Sequence, residues 1–142
     1  MAEIDRRQAI RLASATATSL ILPAAACAQE ARAADAFMAE AFQLRDQALA
    51  AGDQPYGAAL VLDGQIVGRG ASRVVSDRNL DAHAERVALW AAQKALGRQH
   101  LDGAVIYSSS VPCAACQRAL AEARVARMVH GRALTDAGAP KG

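Results

Sequence analysis

Apolar residues recur at helical spacing between Asp35 and Ala51, and this pattern predicts a helix with one apolar stripe. Gly52 follows directly and favours the end of that helix, because glycine readily adopts the left-handed conformation after a last turn. We interpret the helix as a core-packing element. Its predicted stripe consists of Phe37, Met38, Ala41, Phe42, Ala48 and Leu49.

The pattern then changes to that of two strands. Residues 57–62 and 65–70 flank Asp63-Gly64, and such a dipeptide between two apolar runs predicts a tight hairpin. Gly68 and Gly70 weaken the second strand, since they have no side chain to pack. They indicate either that a ligand comes close to the backbone or that the strand contains a bulge.

The remaining pattern alternates helices with strands. A loop over residues 73–80 precedes a second helix, which has Asp81 or Ala82 as its cap and ends near Leu96. Its predicted packing residues are Val87, Leu89, Trp90 and Ala95. A strand over 103–109, a third helix to about 124, a strand over 125–130 and a loose tail over 135–142 follow. This order predicts an α/β protein, a three-layer α/β/α arrangement with a central mixed sheet of about four strands.

The candidate chemistry lies at the beginnings of the second and third helices. Cys113 and Cys116 are three residues apart, so both lie on one face of a helix, and Pro112 suits a first helical position. The positive end of the helix dipole there favours thiolate. His83 and Glu85 are two residues apart and can converge only if His83 precedes the regular helical turns.

Two thiolates and one imidazole leave a tetrahedral Zn²⁺ one position short, which is typical of a catalytic zinc site. Water in that position becomes a nucleophile near neutral pH, and Glu85 would move its proton. This combination predicts hydrolytic deamination. Two alternatives remain open: a closed structural zinc site with His100 or His130 as fourth ligand, and a disulfide between Cys113 and Cys116.

The H-A-E and P-C-x-x-C segments resemble the zinc-dependent cytidine/deoxycytidylate deaminase superfamily, in its guanine, cytosine and tRNA-adenosine deaminase branch. Residues 54–61 resemble that branch's P-[FV]-G-A-V strand opening, and residues 128–131 resemble its V-V-Y-G strand ending. The resemblance covers roughly residues 35 to 133.

This resemblance implies a cytidine deaminase-like fold, Zn²⁺ bound by His83, Cys113 and Cys116, and Glu85 as the catalytic proton shuttle. A zinc-bound hydroxide would attack the amino-bearing ring carbon of a free nucleobase or nucleoside of the guanine or cytosine class, and ammonia would be released. A homodimer is also implied.

The chain departs from the family's pattern at two places. Ser72 stands where the family's G-x-N segment has an asparagine that contacts substrate, and a hydroxyl offers one donor where an amide has two. The chain also ends about ten residues after Gly131, where family members typically continue with a further strand and helix. We therefore expect a fold shortened at its C-terminus.

The length and the net charge of the chain limit which binding partners are expected. The 142 residues suffice for a single folded domain, and the formal net charge is +2. Residues 34–142 carry 12 basic and 11 acidic side chains, so they have no large excess of positive charge that would attract a polyanion. Nucleic acid is therefore not expected as a partner.

Four arginines nevertheless motivate an alternative function, that of a tRNA adenosine deaminase homologue. They are Arg118, Arg124, Arg127 and Arg132. A third alternative is a non-catalytic zinc or disulfide module of the same fold.

The N-terminal segment has the pattern of a targeting signal. Arg6-Arg7 opens a basic stretch, and the apolar run over 12–26 is too short and too rich in alanine to span a membrane. Residues 1–33 therefore resemble a twin-arginine signal peptide, which leaves 34–142 as an exported, periplasmic zinc domain without a transmembrane segment. Lipid anchoring at Cys27 is less favoured, because the position three residues before it is Ala24 rather than leucine.

Overall fold

The computed structural model of the protein describes residues 23–142, which form three helices and five strands. The helices are α1 (Pro23–Ala50), α2 (Ala84–Leu96) and α3 (Ala114–Glu122). The strands are β1 (Gly57–Leu62), β2 (Gln65–Ala71), β3 (Val105–Ser108), β4 (Arg127–His130) and β5 (Thr135–Gly138).

The strands form one mixed sheet in the order β2-β1-β3-β4-β5. Strand β1 is antiparallel to both β2 and β3, β3 and β4 are parallel, and β5 is antiparallel to β4. The predicted hairpin is confirmed, with positive φ angles of 50° at Asp63 and 73° at Gly64 in its turn.

The sheet has five strands, one more than the number predicted, and the fifth replaces the predicted loose tail. All four residues of β5 are exposed. The strand is held to β4 through its backbone, with His130 opposite Thr135 and Met128 opposite Gly138. The side chains of β5 are exposed and contribute little to the core. The strand therefore has no apolar pattern from which it could be predicted.

Two apolar clusters, one on each face of the sheet, confirm the three-layer α/β/α arrangement. On one face, Met38 and Ala41 of α1 pack with Val61, Tyr107 and Val129. On the other face, α2 and α3 pack over the alternate positions of the same strands. The residues of this second cluster include Leu60, Ile106, Met128, Ala88 and Leu120. Strand β1 is buried along its whole length and therefore contributes side chains to both layers.

The glycines of β2 allow α2 to lie close to the sheet. A Cβ atom at Gly68 would overlap the carbonyl oxygen of Ala88, and one at Gly70 would overlap that of Ala84. Strand β2 also contains an irregularity, because Leu60 pairs with Gly68 whereas Val61 pairs with Ile66. A helix backbone, and no ligand, therefore accounts for these two glycines.

Several packing predictions for the helices are wrong. Leu49 is 60% exposed in α1, whereas Leu44, absent from the predicted stripe, is buried. In α2, Leu89 is buried as predicted, but Trp90 is 40% exposed and Ala95 is exposed too. In α2, the helix lies so close to the glycines of β2 that its buried face consists mainly of small residues. Trp90 therefore points outward.

The described N-terminal residues extend the first helix beyond its predicted start at Asp35. Residues 23–33 form the first turns of α1, and none of them is buried. The paired arginines and most of the apolar run that follows lie outside the described residues. Within residues 23–142, we find no helix with both the length and the apolar character needed to traverse a bilayer.

Candidate active site

His83 is the N-cap of α2, and its backbone is extended with φ −65° and ψ 152°. The predicted caps, Asp81 and Ala82, precede that position; Asp81 forms an ion pair with Arg86 at 2.7 Å instead. This extended backbone confirms that His83 precedes the regular turns. Glu85, two residues later in the first turn, therefore faces the same cleft as His83.

The two cysteines occupy the equivalent place on α3. Cys113 is the N-cap, with φ −67° and ψ 165°, and Pro112 lies just before it rather than at the first helical position. The backbone N–H of Cys116 donates to the sulfur of Cys113 across 3.4 Å. This contact turns the sulfur of Cys113 back over the first turn, on the side where Cys116 lies.

The three side chains converge on one point. Nδ1 of His83 lies 3.6 Å from Sγ of Cys113 and 3.5 Å from Sγ of Cys116. The three ligand atoms all lie within 4.8 Å of one another. Zinc bonds of ~2.3 Å to sulfur and ~2.0 Å to nitrogen at tetrahedral angles imply an S···N separation of about 3.6 Å. The residues present therefore fit Zn²⁺ by donor type and by spacing.

Glu85 is fixed beside this trio by a serine of the sheet. The hydroxyl of Ser108, at the end of β3, donates to Oε1 of Glu85 across 2.6 Å. Glu85 is 4% exposed and Ser108 is fully buried. Ser108 was not predicted as a site residue; its signal in the sequence is a polar residue at the end of a buried strand.

The electrostatics of the trio suit a cation. Burial raises the pKa of the Cys116 thiol, and the charge of Glu85 raises it further. A bound divalent cation reverses this balance, because a coordinating thiol is deprotonated outright. Cys113 is exposed, so this side of the site is open to solvent.

The two alternatives for these residues find no structural support. Cys113 and Cys116 are unbridged. Within residues 23–142, the group positioned to hold a metal contains three residues and no further histidine. His100 lines a separate cleft between α2 and α3, and His130 lies on β4, beside Ser108 in the parallel register.

A cleft of about 300 Å³ opens in front of the trio. This volume is at the lower end of the range found for small-molecule pockets. Besides His83, Cys113 and Glu85, its lining residues are Gln54, Tyr56, Ser110 and Val111. The site therefore has room for a ligand about the size of a single base.

A buried carboxylate that the sequence analysis missed stabilises one wall of this region. Asp53 is 6% exposed. It accepts hydrogen bonds from the hydroxyls of Ser72 and Ser76 at 2.9 and 2.6 Å. It also accepts from the backbone N–H groups of Gln54, Val75 and Ser76. Burial alone would raise the pKa of Asp53, but the hydrogen bonds from Ser76, Gln54 and Ser72 outweigh it and lower that pKa well below its ordinary range.

This network gives Ser72 a role different from the one its place in the motif implies. Ser72 stands at the position of the family's substrate-contacting asparagine, but it is only 2% exposed and donates to Asp53. It does not line the cleft. The structure therefore assigns Ser72 to the support of the loop after β2.

Comparison with known proteins agrees with this architecture. Residues 31–132 match the family model of the cytidine and deoxycytidylate deaminase zinc-binding region. A tRNA-specific adenosine deaminase of Agrobacterium fabrum is 39% identical over 77 residues, which are 54% of this chain and 51% of that protein. The guanine deaminase of Bacillus subtilis is 37% identical over 83 residues, 58% of this chain and 53% of that protein. The chain thus spans about half the length of these relatives.

The solved structure of the Bacillus subtilis guanine deaminase superposes with a TM-score of 0.66 at 34% identity, and the match covers 68% of this chain and 62% of that one. Fold and site together define an α/β domain with a zinc-binding centre between two helix N-termini. The chain belongs to the cytidine and deoxycytidylate deaminase zinc-binding family.

Proposed function

We propose that the protein is a zinc-dependent hydrolase that deaminates a free nucleobase or nucleoside of the guanine or cytosine class. The observation that carries this proposal is the buried carboxylate of Glu85, which lines the same 300 Å³ cleft as His83 and Cys113, two of the three metal-binding residues. A structural zinc site is closed by four protein ligands and requires neither a neighbouring carboxylate nor a cleft.

His83, Cys113 and Cys116 would hold the ion. Bound Zn²⁺ supplies Lewis acidity, which makes water a nucleophile near neutral pH. Glu85 accepts a proton from that water and delivers it to the leaving amino nitrogen. The water oxygen bonds to the amino-bearing ring carbon, the carbon–nitrogen bond breaks, and ammonia leaves. Ser108 holds Oε1 of Glu85, which leaves Oε2 to carry the proton.

The distribution of basic residues favours a small substrate. Ser108, at the end of β3, lies at the site, whereas Arg127 begins β4 opposite Val105, at the other end of the parallel pair. Arg127 and Arg124 also face acidic partners, at 3.6 and 3.8 Å. The guanidinium of Arg132 lies over the ring of Phe42. Arg124, Arg127 and Arg132 therefore do not form one basic surface around the cleft.

Ammonia release by the zinc-loaded protein tests the proposal, with guanine, cytosine, adenine and their nucleosides as substrates. The Glu85→Ala variant runs alongside as the matched control. We expect ammonia from one guanine- or cytosine-class substrate and its loss in the variant, while the zinc content stays at one ion per chain. Zinc at full occupancy without ammonia from any substrate would instead support the non-catalytic module.

The second candidate is a tRNA adenosine deaminase, which is what several of the similar proteins are. A gel shift with tRNA at low salt distinguishes the two, because phosphate contacts dominate such binding and are strongest there. Absence of a shift at low salt excludes this candidate. The homodimer stays a prediction, which light scattering coupled to size exclusion tests.

We also propose that residues 1–33 direct the protein to the periplasm by twin-arginine export. The proposal is supported by the burial pattern, since no residue of 23–33 is buried and every buried residue of α1 follows Ala34. Export of a folded chain would allow zinc to bind in the reducing cytoplasm, before the cysteines can be oxidised. Cell fractionation of the wild type and of an Arg6→Lys, Arg7→Lys variant tests it, with retention in the cytoplasm expected for the variant.

A further inference from the structure

The lining of the cleft contains four residues that the proposed chemistry does not use. Val111 has no polar side-chain atom, and Tyr56 and Ser110 each offer a single hydroxyl. Gln54 differs from these three because its amide offers two donors and an acceptor side by side. The edge of a nucleobase presents donors and acceptors in the same adjacent arrangement, and a glutamine amide can pair with it at two points.

The backbone of Gln54 is held firmly. Its N–H donates to Oδ1 of Asp53 across 2.8 Å, and its carbonyl accepts from the N–H of Tyr56 across 2.8 Å. Pro55 follows and further restricts the backbone of the residue before it. Asp53 in turn is fixed by Ser72 and Ser76. Gln54 therefore lines the cleft from a firmly held backbone.

The side-chain amide of Gln54, by contrast, is free to bind a ligand. It makes no hydrogen bond with any group in residues 23–142, and the residue is exposed. Among the residues that line the cleft, Gln54 carries the single side-chain amide. Ser72 cannot substitute for it, because its hydroxyl is buried and donates to Asp53.

We propose that Gln54 determines substrate selection: its amide NH₂ donates to the keto oxygen of a guanine- or cytosine-type base in the cleft. This inference rests on the deaminase function proposed above and names the edge of the substrate that the site reads. Asp53 acts as a positioning residue, since it fixes the backbone from which the amide extends.

The test compares two purines that differ at the edge in question. Guanine has a 6-keto group, whereas 2,6-diaminopurine has a 6-amino group in its place. Binding of each is measured by calorimetry on the zinc-loaded full chain carrying Glu85→Gln, with and without Gln54→Glu. Cytosine serves as a second keto base. The Glu85→Gln background limits turnover during the measurement.

Gln54→Glu keeps the shape of the side chain but replaces both donors with acceptors. We expect guanine and cytosine to bind about tenfold to a hundredfold more weakly, because the keto oxygen loses its donor and faces an acceptor instead. The affinity for 2,6-diaminopurine should be retained or increased, because its amino group can donate to the new carboxylate. Gln47→Glu, an exposed change on α1 away from the cleft, is the matched control and should change neither affinity.

The result separates this inference from the deaminase proposal. An equal loss for both purines, an unchanged guanine affinity, or no binding of either keto base to the chain with Gln54 would each overturn the role of Gln54. Ammonia release by the chain that retains Glu85, combined with any of these results, would leave the deaminase proposal standing. A selective loss of keto bases without ammonia release from the Glu85 protein would support Gln54 and sink the deaminase proposal.

Discussion

The hydroxyl of Ser108 donates a 2.6 Å hydrogen bond to Oε1 of Glu85, and neither side chain is more than 4% exposed. Ser108 ends β3, in the middle of the sheet, while Glu85 lies in the first turn of α2. The sheet thus holds one oxygen of the carboxylate that we propose to move the proton. A hydrogen bond to a charged group is worth about 1.5–3 kcal/mol.

The first prediction concerns this hydrogen bond. Ser108→Ala should lower kcat by about tenfold to a hundredfold, because Glu85 loses the contact that orients it for proton transfer. KM should change much less, since Ser108 does not line the cleft. Steady-state ammonia release, with the zinc content measured in parallel, checks both parts.

Ser109→Ala is the matched control for Ser108→Ala. The Ser109 hydroxyl accepts a hydrogen bond from the backbone N–H of Gly57 at 3.1 Å and makes none with Glu85. It should therefore lower the melting temperature slightly while kcat stays close to the wild-type value. If both variants lose kcat to the same extent, the effect belongs to the strand end and not to Glu85.

The sequence predicted those residues of the site that lie close together along the chain. His83 with Glu85, and Cys113 with Cys116, are groups of reactive residues only two or three positions apart, and helix geometry decides which of them converge. Ser108 and Asp53 lacked such a signal. Ser108 contacts Glu85 23 positions earlier and Asp53 contacts Ser72 19 positions later, so their roles depend on how distant segments pack.

A second prediction follows from metal removal. The full chain, purified with zinc under reducing conditions, should show one reactive thiol, the exposed Cys27. After chelation it should show three, because Cys113 and Cys116 are then released from the metal. Titration with a thiol reagent counts them. Three thiols before chelation would contradict zinc binding, and thiols that appear only after added reductant would indicate a disulfide.

A third prediction concerns acid and Asp53. The pKa of Asp53 is lowered in the folded protein from its ordinary value of 3.8, so its ionised form stabilises the fold. That stabilisation is complete above about pH 4 and is lost as the pH falls toward the folded pKa. Asp53→Asn should therefore have a lower melting temperature than the wild type at pH 7 and pH 5, and the difference should shrink at pH 3 and below.

Asp63→Asn is the control for the acid experiment. Asp63 is exposed in the hairpin turn at a φ of 50°, a conformation that asparagine also tolerates. Its melting temperature should follow that of the wild type across the whole pH range. A gap between wild type and Asp53→Asn that stays constant down to pH 2 would show that the charge of Asp53 does not matter.

The general fold was predictable for a related reason. The apolar run of β1 is buried along its whole length, and Met38, Ala41 and Ala48 of the stripe predicted for α1 are buried too. The two layers follow from these patterns. The burial of α2 was less predictable. Its contact face consists of Ala84, Ala88 and Ala92, so the bulky Trp90, which sequence patterning favours for the core, lies outside. Only the glycines of β2 hint at so close a helix.

That close contact supports the fourth prediction. Gly70→Ala would drive a Cβ atom into the carbonyl of Ala84, next to His83 and Glu85, and backbone on both sides prevents easy relief. The cost should be about 3 kcal/mol of unfolding free energy, and zinc should dissociate faster because the start of α2 shifts. Urea unfolding and zinc release to a chromogenic chelator measure these effects.

Gly64→Ala is the control for this prediction. A Cβ atom at Gly64 has no atom within 4 Å, and the φ of 73° is the source of strain. The substitution should cost only about 1 kcal/mol of unfolding free energy, without faster zinc release. Equal behaviour of the two variants would mean that the packing of α2 on β2 does not hold the metal site in place.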